Sequence, residues 1–237
     1  VVLNLTSSDQ KRIDVLCRDS KVTLFMVLAA ALKVLLHHVS GQDDIVIGSP
    51  VAGRGQAELE GQIGFYLNNL VLRDQIKRDE SFVSFLSRVR MTCVEAFQNQ
   101  DYPFDCLIED LAVAVQIGRT PLFDVLLNLM PSEALELRLG DLALESFSDE
   151  IKTTVFDLNF MWASGPSGIA LELTYNHALF DANTVQGLGE SYLKLLKIIS
   201  ADSSLSIRDL CASMEGREAS AEKAMFLAEA LNLDEDF

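Results

Sequence analysis

Three short stretches of this 237-residue sequence hold residue types suited to catalysis or ligand binding. The first is His37-His38, at the end of an apolar run. Paired imidazoles could act as a base or bind a metal, but no third ligand lies nearby in sequence. Histidines in the last turn of a helix are also stabilised there by the negative end of its dipole. The second is Ile47-Gly48-Ser49-Pro50-Val51-Ala52-Gly53-Arg54, with glycines that permit close backbone approach and an arginine with a fixed fork of donors. It lacks the lysine of GxxxxGK[ST] and the spacing of GxGxxG, so it does not read as a phosphate cradle. The third is His177-Ala178-Leu179-Phe180-Asp181, which follows a predicted strand. An imidazole at a strand end with a carboxylate four residues on is the placement an acyl-transfer base needs. The reading favoured for the same residues is a polar turn with Asp181 as the N-cap of the next helix, because no nucleophile or oxyanion donor can be assigned from sequence. Cys17, Cys93, Cys106 and Cys211 are far apart with no CxxC pair, which points to neither a zinc site nor a disulfide framework and fits a reducing, cytoplasmic compartment.

These stretches need elements to position them. Leu24 to Leu36 predicts a buried helix, with Thr23 as N-cap and Gly41 as the C′ residue. Lys33 interrupts it, and its apolar stretch falls short of the ~20 residues a bilayer requires. Gly41-Gln42-Asp43-Asp44 turns the chain into Ile45-Val46-Ile47-Gly48, a β-branched run typical of sheet interiors. Leu70 to Leu72 predicts a second strand. Ser81 caps a helix over Phe82 to Phe97, and Tyr102-Pro103 restarts the chain into a short amphipathic helix with Leu107, Ile108 and Leu111. Strands are predicted over Leu122 to Leu129, Leu135 to Leu144, Val155 to Trp162 and Ile169 to Tyr175, so that the second half carries most of the sheet. The last two are joined by Ser164-Gly165-Pro166-Ser167-Gly168, a hairpin connector. Asp181 to Ile199 closes this part as an amphipathic helix. Ser203 to Gly216 is polar with scattered apolar residues, and Ala219 to Leu233 predicts a short helix ending in Asp234-Glu235-Asp236. The expected division is a main domain over residues 1–200 and a linker or docking tail over 201–237.

The composition is 49% hydrophobic, which excludes disorder and supplies a sizeable core. Nineteen Lys+Arg against 35 Asp+Glu give a net charge of −16, against a nucleic-acid or anionic-membrane partner, either of which needs a positive face. Helix passing into strand points to an α/β layered domain. The chain opens on Val1 without a basic leader or cleavage site, the expectation for an excised or processed piece.

Thr23-Leu24-Phe25-Met26, Ser40 through Arg54, and Ile63-Gly64-Phe65-Tyr66-Leu67-Asn68-Asn69 together resemble the condensation domains of nonribosomal peptide synthetases. Gln100-Asp101-Tyr102-Pro103-Phe104-Asp105, Pro121-Leu122-Phe123-Asp124-Val125 and Tyr175 through Asp181 extend the resemblance, in the family's own order, to Ile199. It implies a fold like chloramphenicol acetyltransferase: two α/β halves in a V shape, each a mixed β-sheet with helices packed on it, and a tunnel between them. Two carrier proteins bring phosphopantetheine thioesters to opposite ends, and the downstream amine attacks the upstream thioester to form an amide. The pantetheine arm belongs to the carriers and is not a cofactor bound by this chain.

The family's catalytic HHxxxDG belongs to the upstream half and is absent here, because His37-His38 is followed by Val39-Ser40-Gly41-Gln42. The resemblance therefore implies the C-terminal lobe only, partnered by an N-terminal lobe and by an adjacent synthetase domain through the tail. It implies no catalytic residue in this chain. Gly48, Ser49, Arg54, Gly64, Asn68 and Asn69 are the candidates for lining the tunnel or lobe interface, and Tyr102, Pro103 and Asp181 are expected to be structural. The chain departs from the pattern at Asn99, where His is more frequent, and at Asn69, where Thr is common. His177 sits in the counterpart of the catalytic loop, with Asn176 in the first His position and Ala182 in place of Gly. Two rivals stay open: a stand-alone acyltransferase using His177, and a non-catalytic docking module.

Overall fold

A computed structural model describes residues 1–59, 61–114, 119–130, 138–139, 142–143, 154–165 and 168–214. In chain order the strands are β1 (Val2–Asn4), β2 (Asp44–Val51), β3 (Asn68–Gln75), β4 (Val125–Met130), β5 (Arg138–Leu139), β6 (Leu142–Ala143), β7 (Leu158–Gly165) and β8 (Gly168–Tyr175). The helices are α1 (Ser7–Ser20), α2 (Leu24–Ser40), α3 (Phe82–Gln98), α4 (Phe104–Asp110), α5 (Ala182–Ala201) and α6 (Ile207–Met214). Six strands form one mixed sheet in the order β1-β8-β7-β4-β2-β3, with β4 parallel to both β2 and β7 and the other pairs antiparallel. β5 and β6 pair separately.

The helix boundaries follow from their caps. Thr23 Oγ1 accepts from the Met26 amide at 3.3 Å, and Gly41 closes α2 in the left-handed region at φ 74°, its amide bonding the His37 carbonyl at 2.8 Å. Ser81 and Asp181 cap α3 and α5 in the same way. One parity of each strand faces these helices. Ile45, Ile47, Leu72, Val125, Leu127, Leu158, Phe160, Trp162, Leu171 and Leu173 join residues of α1, α2, α3, α5 and α6 in a single core. The alternate positions, Val46, Val71, Asn128, Met161 and Glu172, are outside that core. Part of this second face is covered by Phe123, which stacks between Phe104 and Phe156 at ring-centroid distances of 5.6 and 5.7 Å.

A polar group ties three elements inside the core. Lys33, fully buried in α2, donates to the Asp74 carboxylate of β3, and Thr92 Oγ1 of α3 donates to the same carboxylate at 2.7 Å. Burial lowers the pKa of the Lys33 ammonium, with Asp74 opposing that shift.

Several expectations are corrected. The six-stranded sheet takes three strands from each side of α4, so the second half does not dominate it. The predicted strands at Leu122 and Val155 begin later, at Val125 and Leu158; Leu122 has φ 72°, outside the extended region. The expected domain boundary at residue 200 falls too early. Ile207, Leu210 and Met214 of α6 are buried in the main core against α2 and α5, because the spacing i, i+3, i+7 gives this short helix one apolar face. β1 and α1 occupy a stretch where no element is predicted. The predicted strand over Leu135 to Leu144 is described only at the β5 and β6 residues, and the helix over Ala219 to Leu233 lies outside the described residues. No single described helix is long and apolar enough to cross a membrane.

Candidate functional site

β2 leaves the sheet at Val51 and the chain returns at Asn68, making an arm over residues 52–67 at one end of the sheet. Its shape is set from inside. Gly53 adopts φ 63°, and a methyl there would overlap the Tyr66 carbonyl. The Arg54 guanidinium donates to three carbonyls of the arm: Leu59, Gln62 at 2.8 Å and Gly64 at 3.3 Å. It also lies over the Tyr66 ring, 4.5 Å from its centroid, while the Tyr66 hydroxyl donates to Gln62 Oε1 at 2.9 Å. A methyl on Gly64 would meet that same ring. Three of the five N–H donors that make Arg54 a candidate for the interface are thus bonded within the arm. What the arm presents instead is apolar: Ile63 is fully exposed, Phe65 is 87% exposed and Leu67 is 56% exposed.

The other candidates of this region lie beside the arm. Asn68 joins β3 to the start of α4, its Nδ2 donating to the carbonyls of Gln100 (2.9 Å) and Tyr102 (2.7 Å). Its Oδ1 accepts from the Phe104 amide at 3.0 Å. Asn68 thus does for α4 what a capping side chain does, because Pro103 at the cap position has no side-chain acceptor. Tyr102 donates its hydroxyl to the Asp110 carboxylate, which raises the phenol pKa. Asn69 pairs in register with Pro50, Ser49 is buried, and a methyl on Gly48 would overlap the Phe123 ring. Gly48, Ser49, Arg54, Gly64, Asn68, Asn69, Tyr102 and Pro103 are therefore parts of one β2–arm–β3–α4 unit.

His177 belongs elsewhere. The parallel pairing Gly48↔Leu126 and Leu126↔Asn159, with the antiparallel pairing Leu158↔Tyr175, places the end of β8 at the end of the sheet where β2 begins. The arm lies beyond the opposite end of β2, whose last residue Val51 is four residues, roughly 13 Å along the strand, past the level of Tyr175, and three strands across the sheet from β8. His177 is exposed in a turn closed by Asn176, whose Oδ1 accepts from the Ala178 amide at 3.1 Å and whose carbonyl accepts from Leu179 and Phe180. Asp181 takes the Thr184 amide (2.9 Å) and hydroxyl (2.7 Å), which makes it the cap of α5.

Beneath this turn lies a cluster that the sequence does not announce. Asp124 and Asp157, both buried, stand just ahead of β4 and β7. Arg119 grips Asp124 through two bonds of 3.2 and 2.7 Å. Burial, then the Asp124 charge, raises the Asp157 carboxyl pKa, while a hydrogen bond from Asn176 and the Arg119 charge oppose the rise. Asp124 belongs to the Pro121–Val125 motif, but its partner is 33 residues away; no local spacing signals the pair.

His37 is structural, with Nδ1 2.6 Å from the Gln42 carbonyl and 3.2 Å from the Asp43 carboxylate. Burial pushes the thiols of Cys17 and Cys93 up to about 11, so neither is primed as a nucleophile. Among the described residues no three His, Cys, Asp or Glu side chains are arranged to hold a metal ion.

This geometry has counterparts among known proteins. The family model for the condensation domain matches residues 1–219. Tyrocidine synthase 3 of Brevibacillus parabrevis is 35% identical over 227 residues, covering 96% of this chain and 3% of the synthase. Bacitracin synthase 3 of Bacillus licheniformis is 35% identical over 190 residues, covering 80% and 3%. Among solved structures, the condensation domain of the monacolin K polyketide synthase MokA superposes with a TM-score of 0.79 at 22% identity, over 87% of this chain and 48% of that one. The X-domain from teicoplanin biosynthesis gives a TM-score of 0.80 at 25% identity, over 88% and 48%. This chain thus spans a few per cent of these synthases and about half of each solved chain.

Proposed function

Because this chain belongs to the condensation-domain family, we propose that it is the second lobe of such a domain, one wall of a tunnel in which an amide forms between carrier-bound substrates. In that reaction the amine of the acceptor attacks the thioester carbonyl, a C–N bond forms, the C–S bond breaks, and the amine's proton ends on the released thiol. The pantetheine arms arrive on carrier proteins, and the base comes from the opposite lobe. The β2–arm–β3–α4 unit is the part of this wall that meets that lobe; Gly48, Ser49, Gly64, Asn68 and Asn69 shape it. Carriers, the first lobe and a neighbouring synthetase domain are the partners, in the cytoplasm.

The observation that carries this reading is the arm. Ile63, Phe65 and Leu67 hold a large apolar surface in solvent on a rigidly built loop, which a monomeric domain rarely leaves uncovered. A protein whose solved relatives extend about as far again has a natural occupant for that surface in its own other half.

The test is reconstitution. This chain alone, given an aminoacyl and a peptidyl carrier, is expected to form no amide above background, because a single wall neither excludes water nor places a base on the amine. Joined to a half that carries HHxxxDG, it is expected to turn over. Amide formation by the chain alone, lost on His177→Ala, would overturn this reading in favour of a stand-alone acyltransferase. Carrier binding without turnover in the joined protein would favour a docking module.

A further inference from the structure

We infer that Arg54 is a positioning residue whose role is to hold the apolar arm in the shape that meets the opposite lobe, and that it makes no contact with substrate or carrier. This rests on the reading of the chain as one lobe.

An arginine within a glycine-containing loop of an enzyme is ordinarily a candidate for binding an anion or a carbonyl of the ligand. Here most of its donors are used within the loop instead. Three of its five N–H groups go to Leu59, Gln62 and Gly64, carbonyls five, eight and ten residues further along the chain, and its Cζ lies over the Tyr66 ring. Few side chains can reach carbonyls from three points of one loop, and a planar guanidinium that also stacks fixes them relative to one another. The residues so fixed bracket the exposed ones: Gln62 and Gly64 flank Ile63, while Gly64 and Tyr66 flank Phe65. Contacts from Arg54 thus lie on both sides of Ile63 and of Phe65.

The energetic consequence concerns ordering. Fixing backbone costs conformational entropy at every residue, so an arm that had to order on meeting its partner would subtract that cost from the lobe contact. Gly53 and Gly64 serve the same arrangement, since a methyl at either would drive the Tyr66 segment of the arm off Arg54.

The experiment uses the intact synthetase polypeptide with Arg54→Gln and Arg54→Lys, and Tyr66→Phe as the variant that keeps the ring. Two quantities are read: the rate of native-state chymotryptic cleavage at Phe65 and Tyr66, and kcat and KM for condensation between carrier-bound substrates. Arg54→Gln should cleave at least about tenfold faster and lose about tenfold in kcat, with KM for the carriers within about twofold and Tm within about 3 °C. Arg54→Lys keeps the charge but cannot stack or span three carbonyls, so it should follow Arg54→Gln. Tyr66→Phe should stay near wild type. Cleavage at the wild-type rate in Arg54→Gln, full rescue by Lys, or a loss confined to KM would overturn the inference. A wild-type polypeptide that cleaves slowly but forms no amide would overturn the lobe reading and leave the loop-holding role of Arg54 standing.

Discussion

Replacing Lys33 with Met keeps the aliphatic stem in α2 and removes the ammonium, leaving the Asp74 carboxylate buried with Thr92 as its remaining side-chain donor. Breaking a buried pair from one side costs about 3–5 kcal/mol, because the remaining charge keeps its desolvation penalty and loses its partner. At roughly 2–4 °C per kcal/mol for a domain of this size, the Tm should fall by about 6–20 °C. Asp74→Leu should cost a similar amount, since it strands the ammonium among α2's apolar neighbours. The double variant Lys33→Met/Asp74→Leu removes both charges and should return to within about 2 kcal/mol of wild type, the remaining loss being an unpaired Thr92 hydroxyl at ~1 kcal/mol. Urea unfolding followed by fluorescence measures all four proteins, and Trp162, the one tryptophan of the chain, is a fully buried reporter in β7. A double variant whose loss equals the two single losses added would refute the reasoning, because it would show that the two charges do not depend on each other.

In the proposed two-lobe enzyme His177→Ala should leave the condensation rate within a few-fold, since a lost general base typically costs ~10²–10⁴-fold and this exposed side chain sits in a turn at the other end of the sheet from the arm; a hundredfold loss at unchanged Tm would refute that. Asp181→Ala should lower stability by ~0.5–2 kcal/mol through loss of the α5 cap, read in the same urea assay, with no loss signalling that the Thr184 bonds are incidental. Asp157 holds its proton above the ordinary carboxylate value of 3.8, so the fold binds that proton more tightly than the unfolded chain and loses stability as pH rises through the folded pKa. Asp157→Asn removes this slope, and its Tm advantage over wild type should therefore widen from about pH 4 to pH 7; parallel curves would contradict it. Gly48→Ala drives a methyl into Phe123, which Phe104 and Phe156 prevent from yielding, and should cost ~1–3 kcal/mol, a neutral outcome showing that the ring can move.

Elements bounded by local chemistry were legible in the sequence. Thr23, Ser81 and Asp181 mark helix starts because a cap acts over three residues, and Gly41 marks a stop because the left-handed conformation is carried by one residue. The α/β class and the condensation-domain family were legible as well, the latter from motifs in order. What escaped depends on distant pairing. β1 is only three residues long and exists by pairing with β8, 168 residues away. α6 looks polar in sequence, and its apolar face acquires meaning only against α2 and α5. Arg54 could be seen to carry donors, but not that the carbonyls receiving them lie within its own loop.

The segment leading into α6 has a mechanical consequence. Phe82 and Val83 amides bond the carbonyls of Leu205 and Ser203, while Ile207 and Arg208 amides bond those of Glu80 and Arg78, all within 2.8–3.0 Å. Arg208 adds a bond to Asp79 at 2.9 Å. Four backbone bonds therefore lash the chain's route toward Met214 onto the turn between β3 and α3. Tension applied beyond Met214 would reach the rim of the sheet before it strained α5, and the turn at 78–83 would act as the anchor plate that passes such a pull to β3 and so to the base of the arm.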